Sequence, residues 1–122
     1  MKRYAAPLLY LSPERSYKQY VVELAGGKVT NFFPLTEEIE STVWLNGIII
    51  LSSIPQYTLS KDTSFEIIIA DLCCKSTDGN IAYYLSGIDL TTKTLLPDAS
   101  LVRLYCLPAE FGTDDSSGYR NV

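Results

Sequence analysis

Three cysteines are the residues of this chain with the most conspicuous chemistry. Cys73 and Cys74 are adjacent, and Cys106 lies on a later segment. Three thiolates could bind a soft metal ion or take part in redox chemistry. Neighbouring side chains on a strand point to opposite faces, so the adjacent sulfurs would not converge, and zinc would lack a fourth ligand. We therefore interpret the cysteines as small buried hydrophobic residues and predict no metal site and no cofactor.

Histidine is absent from the chain. This absence excludes Ser-His-Asp and Cys-His catalysis within the chain, together with the usual zinc-bound water. General acid–base chemistry would fall to carboxylates, lysine, tyrosine or cysteine. Glu37, Glu38 and Glu40 cluster, but like charges lie together most often where water screens them, and we interpret them as a solvated face. No nucleophile–base pair can be named, so the sequence predicts no catalytic residues and no enzyme.

Tyrosine is frequent, with nine residues in the chain. Tyr4, Tyr10, Tyr17 and Tyr20 crowd its beginning. Tyrosine combines a large apolar ring with a polar tip, which suits binding interfaces. It is also a good strand former, so ordinary strand composition explains the same pattern. Both interpretations stay open here, whereas the single tryptophan, Trp44, is expected to fill the core.

Charge and apolar content limit the class of protein. The 122 residues carry a formal charge of −4 and are 47% hydrophobic, which predicts a folded domain that binds neither nucleic acid nor membrane. The longest apolar run, Ile48–Leu51, is far shorter than the roughly 20 residues of a membrane span. The odd number of cysteines and the lack of a recognisable secretion signal indicate a reducing, cytoplasmic location.

Short strands between turns are the elements that must position these residues. Period-two alternation places Tyr20, Val22 and Leu24 on one face of a strand. The pair Gly26–Gly27 predicts a tight turn into a strand that ends at Pro34. The predicted strands are 8–11, 17–24, 29–33, 43–45, 48–51, 65–74, 81–85, 90–96 and 101–107.

Four local signals complete the predicted element order. Asn46–Gly47 predicts a β-hairpin, and Pro97–Ser100 predicts a turn. The acidic segment Leu35–Ser41 is the best candidate for a helical turn, with Thr36 as its N-cap. The nearly continuous hydrophobicity of Phe65–Cys74 indicates a strand that is covered on both faces.

These elements predict a mostly β fold class. The strand number and the regular turn signals favour a small β-sandwich or barrel-like antiparallel or mixed sheets with at most one short helix. Residues 1–107 are expected to form a single β-rich domain. Residues 108–122 are rich in glycine, serine and aspartate and are expected to form a flexible C-terminal tail.

Four segments of the first half follow one another as strand, glycine turn, strand and hydrophobic strand. They are Tyr20–Leu24, Ala25–Val29, Phe33–Leu35 and Trp44–Leu51. In this order they resemble the N-terminal β-sandwich, or composite domain, of amidohydrolase-superfamily enzymes, where it lies beside a metal-bearing (β/α)₈ barrel. The resemblance covers about residues 5–52 and implies a small β-sandwich.

The chain departs from that family where the metal site would begin. The family continues with Pro-Gly and a His-x-His pair of metal ligands, whereas this chain reads Ser52–Gln56 and has no histidine. Only 70 of the 122 residues follow Ser52, too few for a barrel of some 200 residues or more. The resemblance therefore implies the sandwich without the metal-binding barrel, completed by pairing between residues 17–51 and 64–107.

The function that these observations favour is a non-catalytic interaction or assembly domain. Open sheet edges invite pairing with another chain, so a protein partner or a homodimer is expected. Two alternatives remain: a small-molecule-binding or regulatory β-sandwich, and an accessory subunit that docks on a separate hydrolase. An enzyme that uses cysteine, tyrosine or carboxylate ranks last.

Overall fold

A computed structural model describes most of the chain. The described residues are 2–36, 41–60, 62–73 and 80–104. Within them the chain is mostly strand with one short helix, which confirms the predicted fold class. The elements are β1 (Lys2–Ser12), β2 (Arg15–Ala25), β3 (Lys28–Pro34), β4 (Thr42–Trp44), β5 (Ile48–Ser52), α1 (Phe65–Leu72), β6 (Ile81–Asp89) and β7 (Thr94–Arg103).

Several predictions fall on positions outside these ranges. They concern Glu37, Glu38 and Glu40 with most of the predicted helical turn, Cys74, Cys106 and the tail 108–122. The residues of that segment that the structure describes, Leu35, Thr36 and Ser41, are not helical.

Seven strands form one mixed sheet, which is not closed into a barrel within the described residues. The order of hydrogen-bonded neighbours is β3-β2-β1-β5-β6-β7, and β4 pairs with β1. β1 runs parallel to β4 and β5, while all the other neighbours are antiparallel. The pairing of β5 with β6 joins the two halves of the chain.

A kink shared by β1 and β2 bends the sheet. Tyr17 and Tyr20 lie on the same face, although a regular strand would place them on opposite faces. Gln19 between them has a left-handed backbone conformation with φ of 54°. The alternation of side chains in β1 shifts by one residue beside Gln19, so that Ala6 and Leu9 lie on the same face as the two tyrosines.

The bent sheet curls over the face on which these side chains lie. β3 and β6 are separated by three other strands, yet Val29 donates its backbone N–H to the carbonyl oxygen of Asn80 at 2.6 Å. Arg103 at the end of β7 donates to the carbonyl oxygen of Gly27, in the turn between β2 and β3, at 3.4 Å. We call the concave side the inner face. Its buried residues are Ala6, Leu9, Val22, Leu24, Ile49, Leu51, Ala82 and Leu104.

Helix α1 packs on the opposite side of the sheet, the outer face. Its buried residues recur at helical spacing and are Phe65, Ile68, Ile69 and Leu72. Ser64 is the N-cap, and its Oγ accepts the N–H of Ile67 at 3.4 Å. The predicted strand over Phe65–Cys74 is therefore wrong. The run is apolar except at Glu66 and Asp71, but a helix buries only one side of it and leaves half of Ile67 exposed.

The predicted hairpin at Asn46–Gly47 is also wrong. These residues join β4 to β5, which follow one another along the same side of β1 and do not pair. Glycine is required here for a different reason, since Gly47 is buried against β6. An added Cβ would lie 2.7 Å from Cε1 of Tyr84 and would collide with the Leu85 carbonyl.

The turns around β7 differ from the prediction, whereas the first glycine turn agrees with it. Pro97–Ser100 lies inside β7, which tolerates proline because it is the last strand of the described sheet. The chain reverses at residues 90–93 instead. Gly26 and Gly27, with φ of 63° and 81°, form the predicted turn between β2 and β3. Among the described residues, no helix is long and apolar enough to cross a membrane.

Candidate interaction surface

Cys73, the one cysteine among the described residues, lies at the C-terminal end of α1. Cys73 is the C-cap of α1 and is half-buried, with its Sγ 3.8 Å from the carbonyl oxygen of Leu51. Within residues 2–36, 41–60, 62–73 and 80–104, no three acidic, cysteine or histidine side chains are grouped so that they could hold a metal ion. The contacts of Cys73 are those of a packed side chain.

Tyrosines on the outer face contribute to packing. Tyr83 is buried and donates its hydroxyl to the carbonyl oxygen of Ile54 at 2.6 Å. Tyr10 contacts Phe65 of α1 edge to face, with ring centroids 5.1 Å apart. These contacts fix the connector after β5 and the start of α1 against the sheet.

A second set of aromatic residues lies on the inner face, where no helix of the described residues covers the sheet. Tyr17 and Tyr20 stack with ring centroids 4.7 Å apart, and Phe32 follows at 6.3 Å from Tyr20. We call these three residues the aromatic row. It runs from β2 to β3 and ends at Phe32, which is 38% exposed. The row therefore carries apolar surface from the inner core to the outermost strand.

Tyr84 occupies the same face on β6. Burial raises the pKa of its hydroxyl, and a hydrogen bond with the backbone of Asn46 lowers that pKa by a smaller amount. Tyr84 packs with the inner core, and its ring lies over Gly47. It stays a neutral phenol at physiological pH and closes the junction between β4 and β5.

Trp44 lies elsewhere than the sequence predicted. It pairs with Ala5 along the β1–β4 ladder, packs in neither core cluster and is 50% exposed. The expectation that it fills the core is wrong, because β4 is a three-residue strand that α1 does not cover. Its exposed ring adds a large apolar group to the surface.

β3 and β7 are the terminal strands of the described sheet, and they are protected differently. β7 carries Pro97 and Asp98 in mid-strand, two residues that discourage pairing with another strand. β3 contains the segment Val29–Phe33, which has neither charge nor proline. Apolar residues are exposed on both strands, notably Phe32 on β3 and Leu96 on β7.

The backbone of β3 offers unpaired hydrogen-bonding groups. Leu35 donates its N–H to the Gln19 carbonyl of β2 at 2.8 Å. Because an antiparallel ladder alternates between inward and outward residues, Phe33 faces β2, and Phe32 directs its N–H and carbonyl away from it. No other described strand forms a ladder with this side of β3, but Val29 at its start donates its N–H to the Asn80 carbonyl, so the open part of this edge is Thr30–Phe33. One ion pair, Arg3 to Glu23 at 2.7 Å, ties β1 to β2 behind this edge.

Comparison with known proteins gives no relative for this surface. No protein-family model, no curated protein and no solved structure matches the chain.

Proposed function

We propose that this protein is a non-catalytic interaction domain that associates with a second copy of itself through β3. The observation that carries the proposal is the open, uncharged segment Thr30–Phe33 of β3, which continues the aromatic row. Main-chain pairing at such an edge supplies hydrogen bonds, and exposed aromatic rings supply apolar area.

A second copy is the partner that this strand fits best. Two identical strands pair antiparallel about a two-fold axis, so each offers the other the same outward groups. Thr30–Phe33 is uncharged, so the pairing places no like charges opposite one another. Phe32 and Phe33 lie on opposite faces of the strand, so that the joined sheet would gain aromatic contacts on both sides.

The proposal includes a relation to the composite domain of amidohydrolases. It is supported by the order of segments in residues 5–52 and by the pairing of β5 with β6. The absence of histidine from the chain supports a role without catalysis. The odd number of cysteines supports a reducing compartment such as the cytoplasm.

Sedimentation velocity of the purified chain tests the proposal. The unmodified protein should sediment as a dimer whose dissociation depends on concentration. Phe32→Lys should give a monomer, because two lysines would meet near the two-fold axis. Leu96→Lys is the matched control, since Leu96 is also an exposed apolar residue on a terminal strand, at 45% exposure against 38%. This variant should remain dimeric.

Three results would contradict self-association through β3. The unmodified chain could sediment as a monomer at every concentration. Phe32→Lys could remain dimeric while its circular dichroism is unchanged. Alternatively, Leu96→Lys could abolish the dimer and Phe32→Lys could leave it intact, which would transfer the interface to β7.

A further inference from the structure

A groove on the outer face lies where the kink of β1 and β2 meets the turn between β6 and β7. Its volume is about 570 Å³. One wall consists of Pro7, Leu8, Lys18 and Gln19, and the other wall consists of Leu90 and Lys93. Three of the six lining residues are apolar, the other three contribute one amide and two ammonium groups, and none is acidic.

The two lysines are not engaged elsewhere. In the part of the chain that the structure describes, neither Lys18 nor Lys93 forms a side-chain hydrogen bond or an ion pair, and Arg3–Glu23 is the one ion pair present. Asp89, four positions before Lys93, uses its Oδ1 to accept the N–H groups of Thr91 and Thr92. In a chain of net charge −4, the groove is thus a local concentration of unpaired positive charge.

The groove is held in place by unusual backbone on both walls. Gln19 and Lys93 have φ of 54° and 60°, and they are two of the three non-glycine residues with positive φ in the described chain. Such conformations persist where surrounding contacts impose them, and they concentrate at binding sites. The Lys93 N–H bonds the Asp89 carbonyl at 2.7 Å, and the Gln19 carbonyl accepts from Leu35. Each lysine therefore projects from a fixed backbone.

We propose that this groove binds a small amphipathic carboxylate, with its hydrocarbon part against Pro7, Leu8 and Leu90 and its carboxylate between Lys18 and Lys93. Apolar walls with a few placed polar groups are the usual composition of a small-ligand site. Two ammonium groups in a lining without a carboxylate favour an anion. The site is independent of β3 pairing, so either proposal can fail while the other stands.

Amide chemical shifts of ¹⁵N-labelled protein measure this binding, with sodium octanoate as the probe. Octanoate should give saturable shifts at Leu8, Gln19, Leu90 and Lys93. Acetate and inorganic phosphate lack the hydrocarbon and should bind about tenfold more weakly or less, since each buried methylene contributes to affinity. Octylammonium, which has the same chain with the opposite charge, should not produce these shifts.

Lysine variants separate the charge from the fold. Lys18→Gln and Lys93→Gln should each weaken octanoate binding by about threefold to fivefold, as expected for an exposed charge pair. Lys93→Gly should do the same while folding at least as well, because glycine adopts positive φ without steric cost. Lys28→Gln removes an exposed lysine outside the groove and should bind as the unmodified chain does.

Four results would overturn the site. Octylammonium could shift the same amides as strongly as octanoate, or phosphate could bind as tightly as octanoate. The octanoate shifts could fall on residues away from the groove. Lys18→Gln and Lys93→Gly could both bind octanoate with unchanged affinity while their spectra remain those of a folded protein.

Discussion

The two faces of the sheet are buried by different means. On the outer face, α1 lies over Ile48 and Ile50 of β5, and polar contacts attach the helix and its connector to the strands. On the inner face, Ile49 and Leu51 of the same strand are covered by the curl of the sheet itself and by tyrosines. One five-residue strand is therefore enclosed by a local element on one side and by the global bend of the chain on the other.

The two faces therefore depend on different kinds of contact. The outer face depends on individual contacts with defined partners, such as Ser52 Oγ donating to the Leu72 carbonyl at 2.5 Å. The inner face depends on the kink at Gln19 and on aromatic stacking, which are properties of paired strands. We therefore expect single substitutions on the outer face to lower the free energy of unfolding independently of one another. In the aromatic row we expect the effects of two substitutions to be non-additive.

The largest expected effect is a cavity under α1. Ile68 is fully buried, so Ile68→Ala should lower the free energy of unfolding by about 2–5 kcal/mol. Ile67, its neighbour on the same helix, is 50% exposed, and Ile67→Ala should change stability by about 0.5 kcal/mol or less. Urea unfolding followed by circular dichroism measures both. Equal losses would show that α1 does not seal the outer face.

The next effect concerns the buried serine beneath the helix. Ser52 is fully buried; its Oγ donates to the Leu72 carbonyl and accepts the N–H of Ile54 at 3.0 Å. Ser52→Ala leaves two buried polar groups without a partner, and we expect a loss of about 1–3 kcal/mol. Ser53→Ala, at an exposed position, is the control. A Ser52→Ala protein as stable as the control would show that the hydrogen bonds of Ser52 do not stabilise the outer face.

A smaller, coupled effect is expected on the inner face. Tyr17 and Tyr20 are stacked, so a double-mutant cycle with Tyr17→Leu and Tyr20→Leu should give a coupling energy of about 0.5–1.5 kcal/mol. Chemical denaturation of the four proteins measures it. Additive losses would mean that the aromatic row is no more than separate buried rings.

The sequence predicted the elements whose signals are local. Gly26–Gly27, the strand around Tyr20–Leu24 and the end of β3 at Pro34 were correct, because turn chemistry and alternation act over a few residues. The helix was not predicted, because the four isoleucine and leucine residues of Phe65–Leu72 obscure its helical periodicity. The N-cap residue Ser64 is the local signal that could have indicated it.

Features that depend on distant pairing could not be predicted in this way. Asn46–Gly47 has the composition of a hairpin turn, but the long strand β1 offers β4 and β5 a common parallel partner. Trp44 is a large apolar residue of the kind that fills a core, but it is exposed because no described element covers β4. The groove needs the Gln19 kink and Lys93, which are distant in sequence, so no motif within the sequence could have indicated it.

The smallest effect is a pH dependence on the outer face. Tyr57 donates its hydroxyl to Oδ2 of Asp71 on α1 at 2.7 Å. Burial, together with this carboxylate, raises the pKa of Tyr57 from 10.0 to about 12. Below pH 10 the phenol is neutral in both states, and its contribution to stability is complete. Between about pH 10 and about 12 the unfolded chain releases a proton that the folded chain retains, so this contribution falls as the pH rises.

Tyr57→Phe should therefore flatten the alkaline decline of stability in that window. Asp71→Asn removes the neighbouring charge but keeps a hydrogen-bond acceptor, so its decline should be intermediate. Tyr84, whose pKa is also raised, is intact in all three proteins and adds the same slope to each. Denaturation midpoints from pH 9 to about 12 measure the difference. Identical profiles for the unmodified chain and Tyr57→Phe would show that the helix is not held to its connector by this phenol, which would weaken the contrast between the two faces.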